Sequence, residues 1–318
     1  MYVERLAHGL AGAGHVVHVV TPDLDREEQR GPTEFWWGPR SFPTHADVAV
    51  PVHSLEFVRE HDAAIYVWAT NGIDAWAGPD GHWAELIDAF PVFSDNHARL
   101  LCAATPTVDR AKCHITGLGV DLASYDDYNF IDHWHPQIIN EQKYGTRKRG
   151  SKVHGRLFFS NDPARGLFHM LDIFDAVKKS VPHATLHVGY DFNRQFELRK
   201  WNHQYLAQQM WEMRRRIEST PGVVDLGALT PDQVIDEQLA CEVHVMPSDP
   251  NNIGSQIHGI QQMECAAAGC PLVLSDIEAF PEVFGEAAIC LPVPGTWIPQ
   301  HERRVDAEDW AAHIIELM

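Results

Sequence analysis

The apolar positions change period within the first twenty residues. Val3, Leu6 and Leu10 recur every three to four residues, the spacing of one helix face, and Gly12 and Gly14 supply a stop. The run His15-Val16-Val17-His18-Val19-Val20 is β-branched and ends at Thr21-Pro22, which predicts a buried strand. A helix feeding such a strand is half of a βαβ unit. The strand expected before that helix is not in the sequence, so the chain is expected to begin one element late. Further strands are predicted at Ala63 to Trp68, Pro91 to Ser94 and Cys113 to Val120. Residues 23–54 mix Pro, Trp and charge and show no usable period. From Phe130 to Gly155 the pattern breaks up, as expected of a connector between domains. Its basic residues Arg147, Lys148, Arg149 and Lys152 suit a solvated loop face or, alternatively, contact with phosphate or an anionic membrane surface.

The second half is regular. Leu157-Phe158-Phe159 predicts a strand, and a helix from Gly166 carries Leu167, Met170, Leu171, Phe174 and Val177 on one face. The expected series continues with a strand Thr185 to Val188, a polar helix Asn202 to Ile217 and a strand Val223 to Leu226. Thr230-Pro231-Asp232-Gln233 is a capping box with Pro at the first helical position. A strand Val243 to Met246, a helix through Ala268, strands Pro271 to Leu274 and Ala287 to Leu291, and a helix after Asp306 complete the series. Short connections between alternating strands and helices imply parallel sheets covered on both faces. The expected organisation is an N-terminal Rossmann-like domain over 1–130, a connector over 131–155 and a C-terminal Rossmann-like domain over 156–318.

Composition narrows the function classes. The chain has 318 residues, 45% hydrophobic and 22% charged, which suits two α/β domains and not a disordered chain. No stretch approaches the ~20 apolar residues that span a bilayer. The start lacks the basic-then-apolar layout of a signal peptide, so a cytoplasmic protein is expected. Lys plus Arg total 25 against 44 acidic residues, a formal charge of −19, which excludes nucleic acid as the expected partner. Twenty histidines invite a metal reading, but most stand singly, and the tightest group, Asp132, His133 and His135, lies in the connector. No metal site is expected. The six cysteines form no Cys-x-x-Cys pair and read as small buried hydrophobes.

In open parallel sheets ligands bind beyond the carboxyl ends of the strands. Two turns in the second half meet that condition. In Ser160-Asn161-Asp162-Pro163-Ala164-Arg165-Gly166, Arg165 is expected at the helix start, where a cation opposes the helix dipole unless an anion binds beside it. An exposed Arg solvating the turn is the plainer alternative. The second turn, Pro247 to Gly259, is long, small and polar, and its helix start offers free N–H groups to an anion. Glu264 follows on an otherwise apolar, Ala-rich helix. Either it lies on a solvated face or it needs a partner, and two vicinal ribose hydroxyls would satisfy both oxygens.

The order of these residues resembles the retaining GT-B glycosyltransferases of family 4. Pro247-Ser248, Gln256-x-x-Gly259 and Met263-Glu264-Cys265-Ala266-Ala267-Ala268-Gly269-Cys270-Pro271-Leu272-Val273 are similar to that family's signature. Tyr2 to Val20, Gly119-Val120-Asp121 with Tyr125, Arg165-Gly166-Leu167 and Pro281-Glu282-Val283 agree with it in order and spacing. The resemblance is strong over 156–292, patchy over 23–90, and lacks the family's first strand and last helices.

The resemblance implies an α/β fold of two Rossmann-like parallel-sheet domains facing across a cleft. It implies transfer of a sugar from a nucleotide-diphosphate sugar, a UDP- or GDP-sugar, to an acceptor (a glycan, a lipid or a small molecule) with retention and without an obligatory metal. By position, Glu264 would hold the donor ribose. Arg165 and Ser160, with the N–H groups of Ile257, His258 and Gly259, would line the diphosphate. Gln256 and His97 would stand on the catalytic side, with His82 as the other candidate histidine. The chain departs from the family where Gln256 replaces a glutamate, Ser160 an arginine and Leu118 an asparagine, and where the first Gly-rich loop is absent. Those departures leave open a non-catalytic nucleotide-binding relative. A sugar-nucleotide epimerase on the same fold is a further alternative, against which the Pro-Ser to Glu-Ala-type signature speaks.

Overall fold

The computed structural model describes residues 2–20, 28–29, 33–37, 45–52, 62–67, 84–126, 152–193, 204–248, 257–293 and 304–318. By compactness the chain divides into two units. One comprises Met1–Val92 with Ala98–Thr116; the other comprises Phe93–His97 with Gly117–Met318. Of the expected connector, only residues 152–155 are described.

The first unit opens with the expected helix α1 (Tyr2–Gly12) and strand β1 (Val17–Val20). The segment without a readable period supplies β2 (Glu28–Gln29), β3 (Glu34–Trp37) and β4 (His45–Ala49). β3 runs parallel to β1, and Trp36 is buried against Val19 and Ala7. A single inward aromatic on a four-residue strand leaves no periodic trace, which is why this strand was invisible. β5 (Asp62–Tyr66) pairs in parallel with β4, and β6 (Phe90–Val92) with β7 (Cys113–Ile115). β7 ends short of the expected Val120. Gly117 takes φ +64°, in the left-handed region, and diverts the chain from the ladder. Helix α2 (Asp95–Ala104) was not anticipated; it buries Ala98 and Leu101, one helical turn apart.

The second unit follows its predicted series closely. Its elements are α3 (Ala123–Asp126), β8 (Arg156–Phe159), α4 (Leu167–Ser180), β9 (Thr185–Val188), α5 (Gln204–Ser219), β10 (Val223–Asp225), α6 (Pro231–Ala240), β11 (His244–Met246), α7 (Ile260–Ala267), β12 (Leu272–Ser275), α8 (Phe280–Phe284), β13 (Ile289–Leu291) and α9 (Ala307–Leu317). Leu157, Phe158 and Phe159 are almost wholly buried, as are all five apolar positions read on one face of α4. Burying such a side chain contributes about 1.5–3 kcal/mol each. α9 packs on α4 through the buried Trp310 and Ile314. The capping box forms as expected: Gln233 N–H donates to the Thr230 hydroxyl, and Thr230 N–H to the Gln233 amide at 2.8 Å. The cysteines are free thiols, four of them buried.

Two parallel three-stranded ladders, β10-β9-β8 and β11-β12-β13, form the sheet. β8 and β11 lie side by side, joined at their amino ends by Glu242 N–H donating to the Arg156 carbonyl at 2.8 Å. Chain order therefore runs outward in one direction from β8 and in the other from β11. That reversal is the doubly wound arrangement in which a crevice opens beyond the carboxyl ends of the two central strands.

Candidate functional site

The crevice position brings together the two turns singled out in the sequence. The first leaves β8 at Ser160. Asp162 accepts from Ala164 N–H at 3.0 Å and closes a tight 3-10 turn over Pro163–Arg165. Gly166 then adopts φ +130° before α4 begins. Arg165 thus ends the 3-10 turn and stands next to Gly166, which precedes Leu167 at the start of α4. A Cβ on Gly166 would lie 2.3 Å from the Pro247 carbonyl oxygen, so only glycine permits the two turns to approach this closely.

Arg165 is half-buried, and its Nε is sealed from solvent with no hydrogen-bond partner among the described residues. An unmet guanidinium donor at this place is costly unless a ligand meets it.

The second turn leaves β11 at Pro247-Ser248. The Ser275 hydroxyl, at the end of β12, contacts the carbonyls of Met246 and Ser248 at 3.3 and 3.0 Å and holds that exit against the sheet. Residues 249–256, including Gln256, lie outside the described residues. The turn resumes at Ile257-His258-Gly259. Ile257 is fixed through its carbonyl, which accepts from the Ser94 hydroxyl at 2.7 Å. Gly259 is left-handed at φ +97°, and no side chain among the described residues caps α7 after it, so none of them meets the N–H groups of its first turn.

His258 is buried, and its Nε2 accepts the Leu118 N–H at 3.2 Å. The proton of the neutral ring therefore sits on Nδ1, which is buried without a partner among the described residues. Burial lowers the His258 pKa, against the opposing pull of the Glu282 carboxylate.

Ser160 and Glu264 complete the picture. The Ser160 hydroxyl accepts from the Gln261 amide on the first turn of α7, which bridges the two turns directly. Gln261 escaped the sequence reading, and nothing in its spacing marked it. Glu264 is half-buried, and its Oε2 accepts from the Gln238 amide at 3.2 Å. So the carboxylate has a protein partner on one oxygen, where the sequence suggested ribose hydroxyls for both.

His97 is wholly buried in the short Phe93–His97 piece of this unit. Its Nδ1 accepts from Phe93 N–H at 3.2 Å, and its N–H donates to the Ser94 hydroxyl at 3.0 Å. Ser94 is thereby the cap of α2, a signal that would have revealed the helix. Glu282, in the Pro-Glu-Val element, accepts from Asp95 and Asn96 N–H at 2.6 and 3.0 Å. His82 lies outside the described residues. Among the described residues there is no cluster of His, Cys, Asp and Glu fit for a metal ion, and no helix long and apolar enough to cross a membrane.

Sucrose-phosphate synthase from Thermosynechococcus elongatus superposes with a TM-score of 0.62 over 99% of this chain and 83% of its own, at 13% identity. The chain has the GT-B fold. Anabaena HepE, solved with UDP and glucose, matches at a TM-score of 0.52 and 15% identity over 82% of this chain. The UDP-forming trehalose-phosphate synthase from Burkholderia xenovorans matches at 0.52 and 10% over 80%. The chain spans 62% and 60% of the length of those two. At such identities the shared property is the fold. No protein-family model and no curated protein sequence matches the chain.

Proposed function

We propose that this chain is a glycosyltransferase that moves a sugar from a nucleoside-diphosphate sugar, a UDP- or GDP-sugar, to an acceptor with retention of anomeric configuration. The observation that carries the reading is the buried Arg165 Nε and the start of α7, both without a side-chain partner among the described residues, at the point where the strand order reverses. A dianionic leaving group satisfies both at once. Negative charge builds on the diphosphate as the glycosidic bond breaks, so donors already fixed there lower the barrier. Glu264 then receives ribose hydroxyls on the same helix. Residues 156–318 act as the donor domain and residues 1–130 as the acceptor domain, in the cytoplasm. Gln256 and His97 are assigned to the catalytic side on the family resemblance.

A thermal-shift screen with UDP-, GDP-, ADP- and TDP-sugars tests the reading. At a ligand concentration a hundred times Kd the native state gains about 2.7 kcal/mol, which raises Tm by several degrees. Glu264→Ala and Arg165→Ala are each expected to abolish the shift. No shift with any of the four ligands would sink the reading. The second reading, a nucleotide-binding relative without turnover, draws on Ser160, which spends its hydroxyl on Gln261. Donor hydrolysis or transfer that disappears in Arg165→Ala would exclude it.

A further inference from the structure

Glu264 is held by a chain of two buried side chains. The Tyr125 hydroxyl, on α3, donates to Gln238 Oε1 at 2.9 Å, and Gln238 Nε2 donates to Glu264 Oε2 at 3.2 Å. Tyr125 is 3% exposed and Gln238 is fully buried, so water cannot substitute in either bond. The direction of the chain is dictated by chemistry. An ionised carboxylate only accepts, so the amide must turn its NH2 toward Glu264, which leaves its oxygen for a hydroxyl donor. The reversed amide would set two acceptors face to face.

Gln238 is also fixed through its backbone. Its carbonyl lies 3.2 Å from the Cys270 sulfur and 3.5 Å from Lys152 Nζ. Lys152 donates in turn to the Ala268 carbonyl at 2.9 Å, at the far end of α7. The lysine therefore holds the Gln238 backbone and the end of the helix that carries Glu264 at one spacing.

We propose that Gln238 and Tyr125 are positioning residues that commit one oxygen of Glu264 to the protein and present the other to the vicinal hydroxyls of a ribose. The proposal rests on the reading that this site takes a nucleoside diphosphate, and it adds a specificity: recognition of the ribose diol depends on the orientation of a buried amide. Glu264 Oε2 is pinned, the carboxylate plane is fixed, and Oε1 is the oxygen left to accept from the ligand. A ligand without the diol gains nothing from this arrangement.

The test is calorimetric titration of the full chain with UDP and with 2′,3′-dideoxyuridine diphosphate, each variant first checked for an unchanged circular dichroism spectrum. Gln238→Leu is expected to weaken UDP about tenfold, the value of one hydrogen bond to a charged group. The milder Tyr125→Phe is expected to weaken it several-fold. Neither should change binding of the dideoxy ligand. Gln238→Glu sets a second carboxylate beside Glu264. Relative to the native chain, UDP binding should then weaken as pH rises from about 5 to 8, as the shared proton leaves.

Equal losses on both ligands would show a merely structural role and overturn the proposal. So would native UDP affinity in Gln238→Leu and Tyr125→Phe while Glu264→Ala loses it, a result that leaves the nucleotide reading intact. Where the native chain binds GDP and not UDP, the same series is run with GDP and its 2′,3′-dideoxy analogue. Nucleotide binding that survives Glu264→Ala, or binding of neither UDP nor GDP by the native chain, overturns the assignment of the site and the proposal with it.

Discussion

The two turns at the head of the second sheet do similar work with different means of support. The turn after β8 is capped and ended by its own residues, Asp162 two residues on and Gly166. Among the described residues it is tied to distant chain only through Asn161, Ser160 and the close approach of Gly166 to Pro247. The turn after β11 is held from far along the chain. Ser94, 163 residues away in sequence, anchors Ile257; Leu118, 140 residues away, engages His258; Gln238 restrains Glu264. A turn built locally forms with its strand and helix, whereas one built from distant partners is only as rigid as the packing that delivers them. The contrast sets the locally built turn that carries Arg165 beside a turn whose geometry depends on the rest of the unit.

Breaking the local turn should cost most. Gly166→Ala drives a Cβ into the Pro247 carbonyl from a φ that alanine avoids, and a loss of about 3 kcal/mol or more is expected in urea unfolding, with loss of nucleotide protection. A variant of native stability would show that the two turns do not need this approach.

Acid should strike the second turn. His244, on β11, accepts from the Gln262 amide on α7, and burial lowers its pKa to about 4 from 6.5. The unfolded chain takes up this proton first as pH falls, so stability is lost between pH 6.5 and about 4. The full shift corresponds to about 3 kcal/mol. His244→Asn should remove that share of the pH dependence; an unchanged slope would refute the assignment.

The smallest effect separates the turns most directly. Asp162→Ala and Ser94→Ala each remove a cap and should cost about 1 kcal/mol. Ser94→Ala should also loosen Ile257 and weaken nucleotide binding, measured by titration, beyond what its stability loss explains. Equal effects on binding from both variants would erase the distinction.

How much was readable follows the same division. Thr230 and Gln233 cap α6 within four residues, and the α4 face repeats at helical spacing, so both were visible in the chain. Trp36 on β3 and the α2 helix were not, because a short strand with one buried aromatic and a helix whose buried residues include only two apolar ones, Ala98 and Leu101, carry too little period. Arg165, Gly259 and Glu264 were legible as residue types in the right order. Their surroundings were not: Gln238, Gln261 and Tyr125 have no spacing that points to Glu264 or Ser160.

By itself, the sequence determined the alternation of strands and helices, the caps that bound them, and the two turns where an anion could be met. Those features rest on interactions within a few residues, which composition and periodicity record directly. Tertiary structure decided the strand order that places the turns side by side, the proton on His258 Nδ1, and the direction of the amide that holds Glu264. Each of these depends on partners more than twenty residues apart, and only the folded packing brings such groups within hydrogen-bonding distance.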